Sequence, residues 1–96
     1  MAIGVIATLK VQDGKGADLE EAFRTLSEQV RANEPGNKFY QLCKSREDAN
    51  AYVVLELYAD QAALEAHGAS EHFKAAGPKI GPCLAGRPEI KYLDGV

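Results

Sequence analysis

The segment from Tyr52 to Phe73 constrains the fold more than any other part of this sequence. Its first seven residues, 52–58, are rich in Tyr and Val, which is typical of a β-strand. Asp60 is a good N-cap for a short helix, and the only two histidines of the chain, His67 and His72, lie at its end and beyond it. Because histidine exchanges protons near neutral pH, we expect any chemistry to lie in this segment.

The remaining patterns predict a β-α-β-β-α-β order. The predicted elements are a strand over Ile3–Val11, a helix with apolar positions Leu19, Ala22, Phe23, Leu26 and Val30, strands over Phe39–Ser45 and Ala51–Tyr58, a helix from near Asp60 to near Gly68, a further helical turn within Ser70–Ala76 and a strand over Glu89–Leu93. Glu34-Pro35-Gly36 ends the first helix, because a residue before proline avoids helical geometry. Gly77-Pro78 is expected to break the last helical turn, leaving 77–88 as a lid or dimer-contact loop. This order predicts an α+β, ferredoxin-like sandwich.

Length and charge narrow the classes of protein and partner. Ninety-six residues favour a single domain over 1–96. A net charge of -3 gives no basic surface for nucleic acid, and no run approaches the roughly 20 apolar residues of a membrane helix. The apolar start lacks a basic signal region, so we expect a cytoplasmic protein with Cys43 and Cys83 reduced.

The third predicted strand is apolar on both faces. Tyr52, Val54, Glu56 and Tyr58 alternate with an all-apolar set on the other face, Val53, Leu55 and Leu57. A sheet with helices on one side normally exposes a polar second face, so we expect another subunit to cover it. The sequence therefore predicts a homodimer.

Several short motifs resemble the antibiotic biosynthesis monooxygenase superfamily. They are EPG at 34–36, Tyr40, YVVLELY at 52–58, DQAALEAH at 60–67 and SEHF at 70–73. The resemblance implies a dimeric α/β barrel that holds a small molecule between sheet and helices. Similar proteins oxygenate quinols or polycyclic phenols without flavin, haem or metal, others isomerise or degrade small signals, and one branch breaks down haem. Ala7 stands in place of the asparagine of the haem-degrading branch and the chain has no Trp, so haem degradation is not expected.

His67 is the candidate general base, and the alternative is a histidine that only caps the helix end or fills the core edge. His72 follows five residues later, about 140° around a continuous helix, so we expect no metal pair and no metal site. His72 is either a proton donor or ligand contact in the pocket or simply exposed.

Three further side chains of the third strand and one of the second are pocket candidates. Glu56 is either ion-paired with Lys or Arg, the favoured interpretation, or an acid with a raised pKa. Tyr58 is expected to line the substrate pocket, with Tyr52 as a second wall. Tyr40 belongs either to the pocket or to the dimer interface.

These residues lead to one functional hypothesis and two alternatives. The hypothesis is a monooxygenase that oxidises a quinol-like or phenolic small molecule with O2 and uses no cofactor. The alternatives are an isomerase or signal-degrading enzyme that uses the same pocket without oxygen, and a dimer that binds a small molecule without catalysis.

Overall fold

The computed structural model describes all residues from Met1 to Val96 as one α+β unit. Its elements are β1 (Ile3–Lys10), α1 (Gly16–Asn33), β2 (Asn37–Lys44), β3 (Ala51–Tyr58), α2 (Gln61–Ala69), α3 (Glu71–Ile80), a 3₁₀ turn (Gly81–Cys83) and β4 (Glu89–Asp94). The four strands form one sheet in the order β2-β3-β1-β4, with every neighbouring pair antiparallel. The predicted ferredoxin-like fold is confirmed.

The helices cover one face of this sheet. Alternate residues of β1 and β3 point to that face and are buried: Val5, Ala7, Leu9, Tyr52, Val54 and Tyr58. The apolar stripe of α1 packs onto them, and its residues Leu19 and Val30 have no exposed surface. Burial of these two stripes forms the core, as the periodicities of the sequence predict.

The other face of the sheet carries an apolar row that crosses all four strands. Phe39 pairs with Leu57, Leu57 with Gly4, and Gly4 with Leu93. Phe39, Leu57 and Leu93 are 51%, 38% and 46% exposed, so no element of the chain covers them. The expectation of an apolar second face is therefore met.

β4 is the least buried strand. All six of its residues are exposed, and its only strand neighbour is β1. On the helix-facing side, Ile90 and Tyr92 stand beside the helices without being covered by them.

Several boundaries differ from the sequence-based expectation. β2 begins two residues earlier, at Asn37, and ends at Lys44, and β4 extends to Asp94. β1 ends at Lys10, and Val11 makes only an isolated bridge to Leu84. α3 runs through Pro78 to Ile80 instead of breaking at it. Proline removes one backbone hydrogen bond near the end of the helix, while burial of Ala76 and packing of Ile80 on the core hold the segment in place. Residues 77–88 are thus partly helical and not a loop throughout.

None of the three α-helices has the length and apolar character needed to cross a membrane.

Candidate functional site

Glu34 lies directly after the last residue of α1, and this position turns its side chain out of the helix direction. Pro35 disfavours helical geometry at Glu34, which takes φ −121° and ψ 83° while its N–H still donates to the carbonyl of Val30. The side chain leaves the helix direction and becomes buried, with 8% of its surface exposed. A carboxylate is thereby fixed at the C-terminal end of α1.

The two histidines approach this carboxylate from two different helices. α2 ends at Ala69, and Ser70 both donates its hydroxyl to the carbonyl of His67 and accepts the N–H of Phe73 at the start of α3. This break changes the chain direction between the histidines, so helical spacing does not apply to them. The two side chains therefore meet at one carboxylate, although five residues of continuous helix would point them in different directions.

Both imidazoles bind the same carboxylate. Nδ1 of His67 lies 3.1 Å from Oε1 and 3.0 Å from Oε2 of Glu34, and Nε2 of His72 also hydrogen-bonds Oε2. The side chains of His67 and His72 are only 7% and 13% exposed, and no Lys or Arg forms an ion pair with Glu34. The three residues form a buried cluster with ligand atoms of the kinds that bind divalent metals.

A cavity of about 540 Å³ lies between the sheet and the helices, beside this cluster. Fourteen of its 20 lining residues are hydrophobic, and their side chains come from every layer of the fold. Val5, Ala7 and Val54 form the sheet side, while Phe73 and Ile80 belong to α3. Its size and apolar lining suit a small organic molecule.

His67 lines this cavity and is fixed within it. The rings of Tyr40, Tyr58 and Phe73 surround the imidazole, with centroids 5.3, 5.4 and 4.8 Å from its own. Nδ1 faces Glu34, whereas Nε2 has no protein partner. The only fully buried side-chain nitrogen or oxygen without a partner is Nδ2 of Asn37, so Nε2 of His67 is not fully buried.

Glu56 also lines the cavity, but it forms no ion pair. Its Oε1 accepts a hydrogen bond of 2.7 Å from the hydroxyl of Tyr58, and the favoured expectation of a Lys or Arg partner is wrong. Burial raises the pKa of Glu56, while the Tyr58 hydroxyl and the nearby His67 oppose that rise. The alternative expectation, an acid with a raised pKa, describes the residue.

Tyr40 belongs to the cavity wall. Its ring stacks on Phe23 with centroids 5.1 Å apart, and its hydroxyl has no protein hydrogen-bond partner. Burial, with the carboxylates of Glu56 and Glu34 nearby, raises the pKa of Tyr40 above its ordinary value of 10.0. The hydroxyl therefore stays protonated and available as a donor.

Three predicted pocket residues do not line this cavity. Tyr58 is fully buried behind His67 and Glu56 and positions both. The Tyr52 hydroxyl donates to Glu20 at the other end of β3, where burial and this bond raise the Tyr52 pKa to about 12. His72 lines a separate groove of about 590 Å³ between α1 and α3.

Glu34 is the site residue that the sequence reasoning did not identify. It lies 33 and 38 positions from its two histidine partners, and periodicity carries no information about such separations. The sequence did contain one signal for Glu34. Pro35 disfavours helical geometry at the residue before it, so it turns this charged residue away from the end of the helix.

Comparison with known proteins agrees with this architecture. The model of the family described as antibiotic biosynthesis monooxygenase matches residues 2–79. A crystal structure of a candidate antibiotic biosynthesis monooxygenase from Caulobacter crescentus is 53% identical, with a TM-score of 0.96 over 99% of this chain and 90% of that one. A conserved protein from Methanosarcina mazei is 28% identical, with a TM-score of 0.91 over 97% of this chain and 91% of that one.

A Pseudomonas aeruginosa protein is 29% identical, with a TM-score of 0.87 over 99% of this chain and 94% of that one. No curated protein matches the sequence. The family model spans most of the chain, including the carboxylate, both histidines and three of the four strands. The chain therefore belongs to the antibiotic biosynthesis monooxygenase family.

Proposed function

We propose that this protein is a monooxygenase that oxidises a phenolic or quinol-like small molecule with O2 inside the apolar cavity, with His67 as the general base. The observation that carries the proposal is the arrangement of His67: Nδ1 is held by a buried carboxylate, Nε2 has no protein partner, and the residue lines the cavity. Family membership supports the reaction class.

Glu34 determines which nitrogen of His67 is the base. A carboxylate that accepts the Nδ1 proton holds a neutral imidazole in the tautomer whose lone pair is on Nε2. That lone pair is the group able to take a proton from a phenol bound in the cavity. Since the three surrounding aromatic rings fix the imidazole, little reorganisation accompanies proton transfer.

Tyr40 and Glu56 supply the remaining polar groups. The protonated hydroxyl of Tyr40 donates a hydrogen bond to the phenolate oxygen as charge develops on it. Glu56, whose pKa is raised by burial, lines the cavity and supplies a proton to the departing oxygen. The apolar lining keeps water away from the charged intermediate.

The substrate provides all the electrons of this reaction. The phenolate passes one electron to O2, the two radicals combine into a C–O bond, and the resulting peroxide loses water to leave a quinone. One oxygen atom enters the product and the other leaves as water. The ring loses its C–H and O–H hydrogens, and the four electrons of the substrate reduce O2.

Oxygen uptake with a panel of reduced quinones and phenols tests this proposal. We expect turnover above the spontaneous rate, and none in anaerobic controls. His67→Gln keeps a donor for Glu34 but removes the base, so kcat should fall by about 10²–10⁴-fold while the fold persists. His72→Gln is the matched control, because His72 binds the same carboxylate without lining the cavity; it should lower kcat much less.

Three results would contradict the proposal. Turnover that persists without oxygen would favour the isomerase or signal-degrading alternative. Equal kcat in His67→Gln and the parent protein would remove His67 as the base, and tight binding without turnover would favour a non-catalytic binding protein.

A further inference from the structure

We propose that Glu34, His67 and His72 form a binding site for a divalent first-row transition metal ion such as Zn2+. The ligands would be the Glu34 carboxylate, Nδ1 of His67 and Nε2 of His72. This site shares His67 with the proposed oxidation chemistry but uses its Nδ1 atom, whereas the proposed base is Nε2.

The ligand atoms already stand close to the separations that coordination needs. They all lie within 4.8 Å of one another, and Nδ1 of His67 is 3.0 Å from the carboxylate. Zn–N and Zn–O bonds of about 2.0–2.2 Å place neighbouring ligand atoms of a tetrahedral site about 3.3 Å apart. An ion at this point would replace the hydrogen bonds of the cluster with coordination bonds.

Burial and charge favour a cation at this point. The Glu34 carboxylate is 8% exposed and has only the two imidazoles as ion-pair partners. A buried carboxylate is costly unless it is paired or coordinates a metal. Two neutral imidazoles with one carboxylate leave a net negative charge, which a divalent ion reverses.

Three separate elements hold the ligands in place. Glu34 follows the end of α1, His67 lies in α2, and His72 lies in the first turn of α3. The Ser70 hydroxyl ties the α2–α3 junction together through its bonds to His67 and Phe73. Such preorganisation lowers the conformational cost of collecting three ligands on one ion.

The groove between α1 and α3 gives the ion a route from solvent. His72 lines this groove, together with the polar side chains of Gln29 and Asn33. A water molecule in the groove completes the coordination as the fourth ligand.

Metal binding also has a consequence for His67, and this consequence alone rests on the proposed function. Coordination through Nδ1 leaves the ring proton on Nε2, which removes the lone pair that would act as the base. The ion would therefore inhibit the oxidation.

Cobalt absorption spectroscopy on the full chain tests the site without any activity measurement. After treatment with a chelator and desalting, titration with Co2+ should produce visible d–d bands that saturate with a single ion per chain. Zn2+ should abolish these bands, and it should raise the melting temperature of the metal-free protein.

Variants locate the ion. His72→Ala and Glu34→Gln should each weaken Co2+ binding by at least about 10-fold, whereas Glu28→Gln, an exposed glutamate of α1, should leave it unchanged. Circular dichroism checks folding, and if Glu34→Gln does not fold, His72→Ala decides. Absence of d–d bands together with no thermal shift by Zn2+ would overturn the proposal, as would undiminished binding in His72→Ala; the cluster would then be only a hydrogen-bonded brace.

Discussion

The carboxyl group of Glu56 lies in the cavity wall with the Tyr58 hydroxyl as its hydrogen-bond donor. Burial raises its pKa above the ordinary value of 4.5, so the folded protein binds this proton more tightly than the unfolded chain. The resulting stabilisation is complete below pH 4.5 and is lost as the pH rises through the raised pKa of the folded protein.

We predict that Glu56→Gln removes this pH dependence. Glutamine keeps an acceptor oxygen for the Tyr58 hydroxyl but does not ionise, so the variant should gain stability relative to the parent as the pH rises from 4.5. Urea unfolding across a pH series measures the difference. Glu21→Gln, at an exposed position of α1, should run parallel to the parent. Parallel curves for Glu56→Gln would show that burial does not perturb this acid.

The alternation of residues in β3 correctly predicted which face of the sheet carries each tyrosine. It did not predict which residues each tyrosine contacts. Tyr52 and Tyr58 lie on the helix-facing side, as expected, yet they stand at opposite ends of β3. Period-two patterns fix the side of a sheet, whereas the helix that crosses above a given residue depends on long-range packing. The same limit explains why His67 was identified from the sequence and its partner Glu34 was not.

At the scale of elements, the absence of a side chain at Gly36 allows α2 to pack closely against the residues before β2. A Cβ atom at this position would lie 2.6 Å from the Cβ of Ala63 in the first turn of α2. We predict that Gly36→Ala destabilises the protein by about 1–3 kcal/mol through overpacking and displaces the helix that carries His67. Chemical denaturation measures the loss.

A second substitution separates this clash from other effects. Ala63→Gly removes the opposing methyl group at a cost of about 1 kcal/mol in helix propensity, so the double variant should lose less than the sum of the two single variants. Gly68→Ala in α2, where an added Cβ meets nothing within 4 Å, should instead stabilise that helix by roughly 0.5–1 kcal/mol. Additive losses in the double variant would refute the contact.

The six main elements followed from periodicity and turn residues, because each signal is local. The course of α3 through Pro78 did not, since a proline rule describes local cost alone. Burial of Ala76 and packing of Ile80 outweigh that cost, and both depend on the position of α1 in the folded chain.

At the scale of the whole molecule, the apolar row through Phe39, Leu57, Gly4 and Leu93 motivates the predicted homodimer. A contiguous exposed row of this kind is typical of a surface that packs against another subunit. We predict a dimer at micromolar concentration, measured by light scattering after gel filtration. Leu57→Glu places a charge in the centre of the row and should produce a folded monomer.

Glu28→Lys is the control for this change, because it alters charge on the helix side, away from the row. It should leave the oligomeric state unchanged. A parent protein that elutes as a monomer would contradict the prediction and leave the function of the row unexplained.

The exposure of β4 gives the molecule an uneven distribution of local stability. β4 bonds to one neighbour and buries none of its six side chains, so opening it costs less free energy than opening β1 or β3. Ile90 and Tyr92 of this strand form one side of the cavity, whereas His67 and Tyr40 belong to buried parts of the fold. Local opening of β4 would therefore admit a ligand to the cavity, while His67 and Tyr40 keep their positions. The strand that opens for entry is thus not the part of the fold that holds the reacting groups.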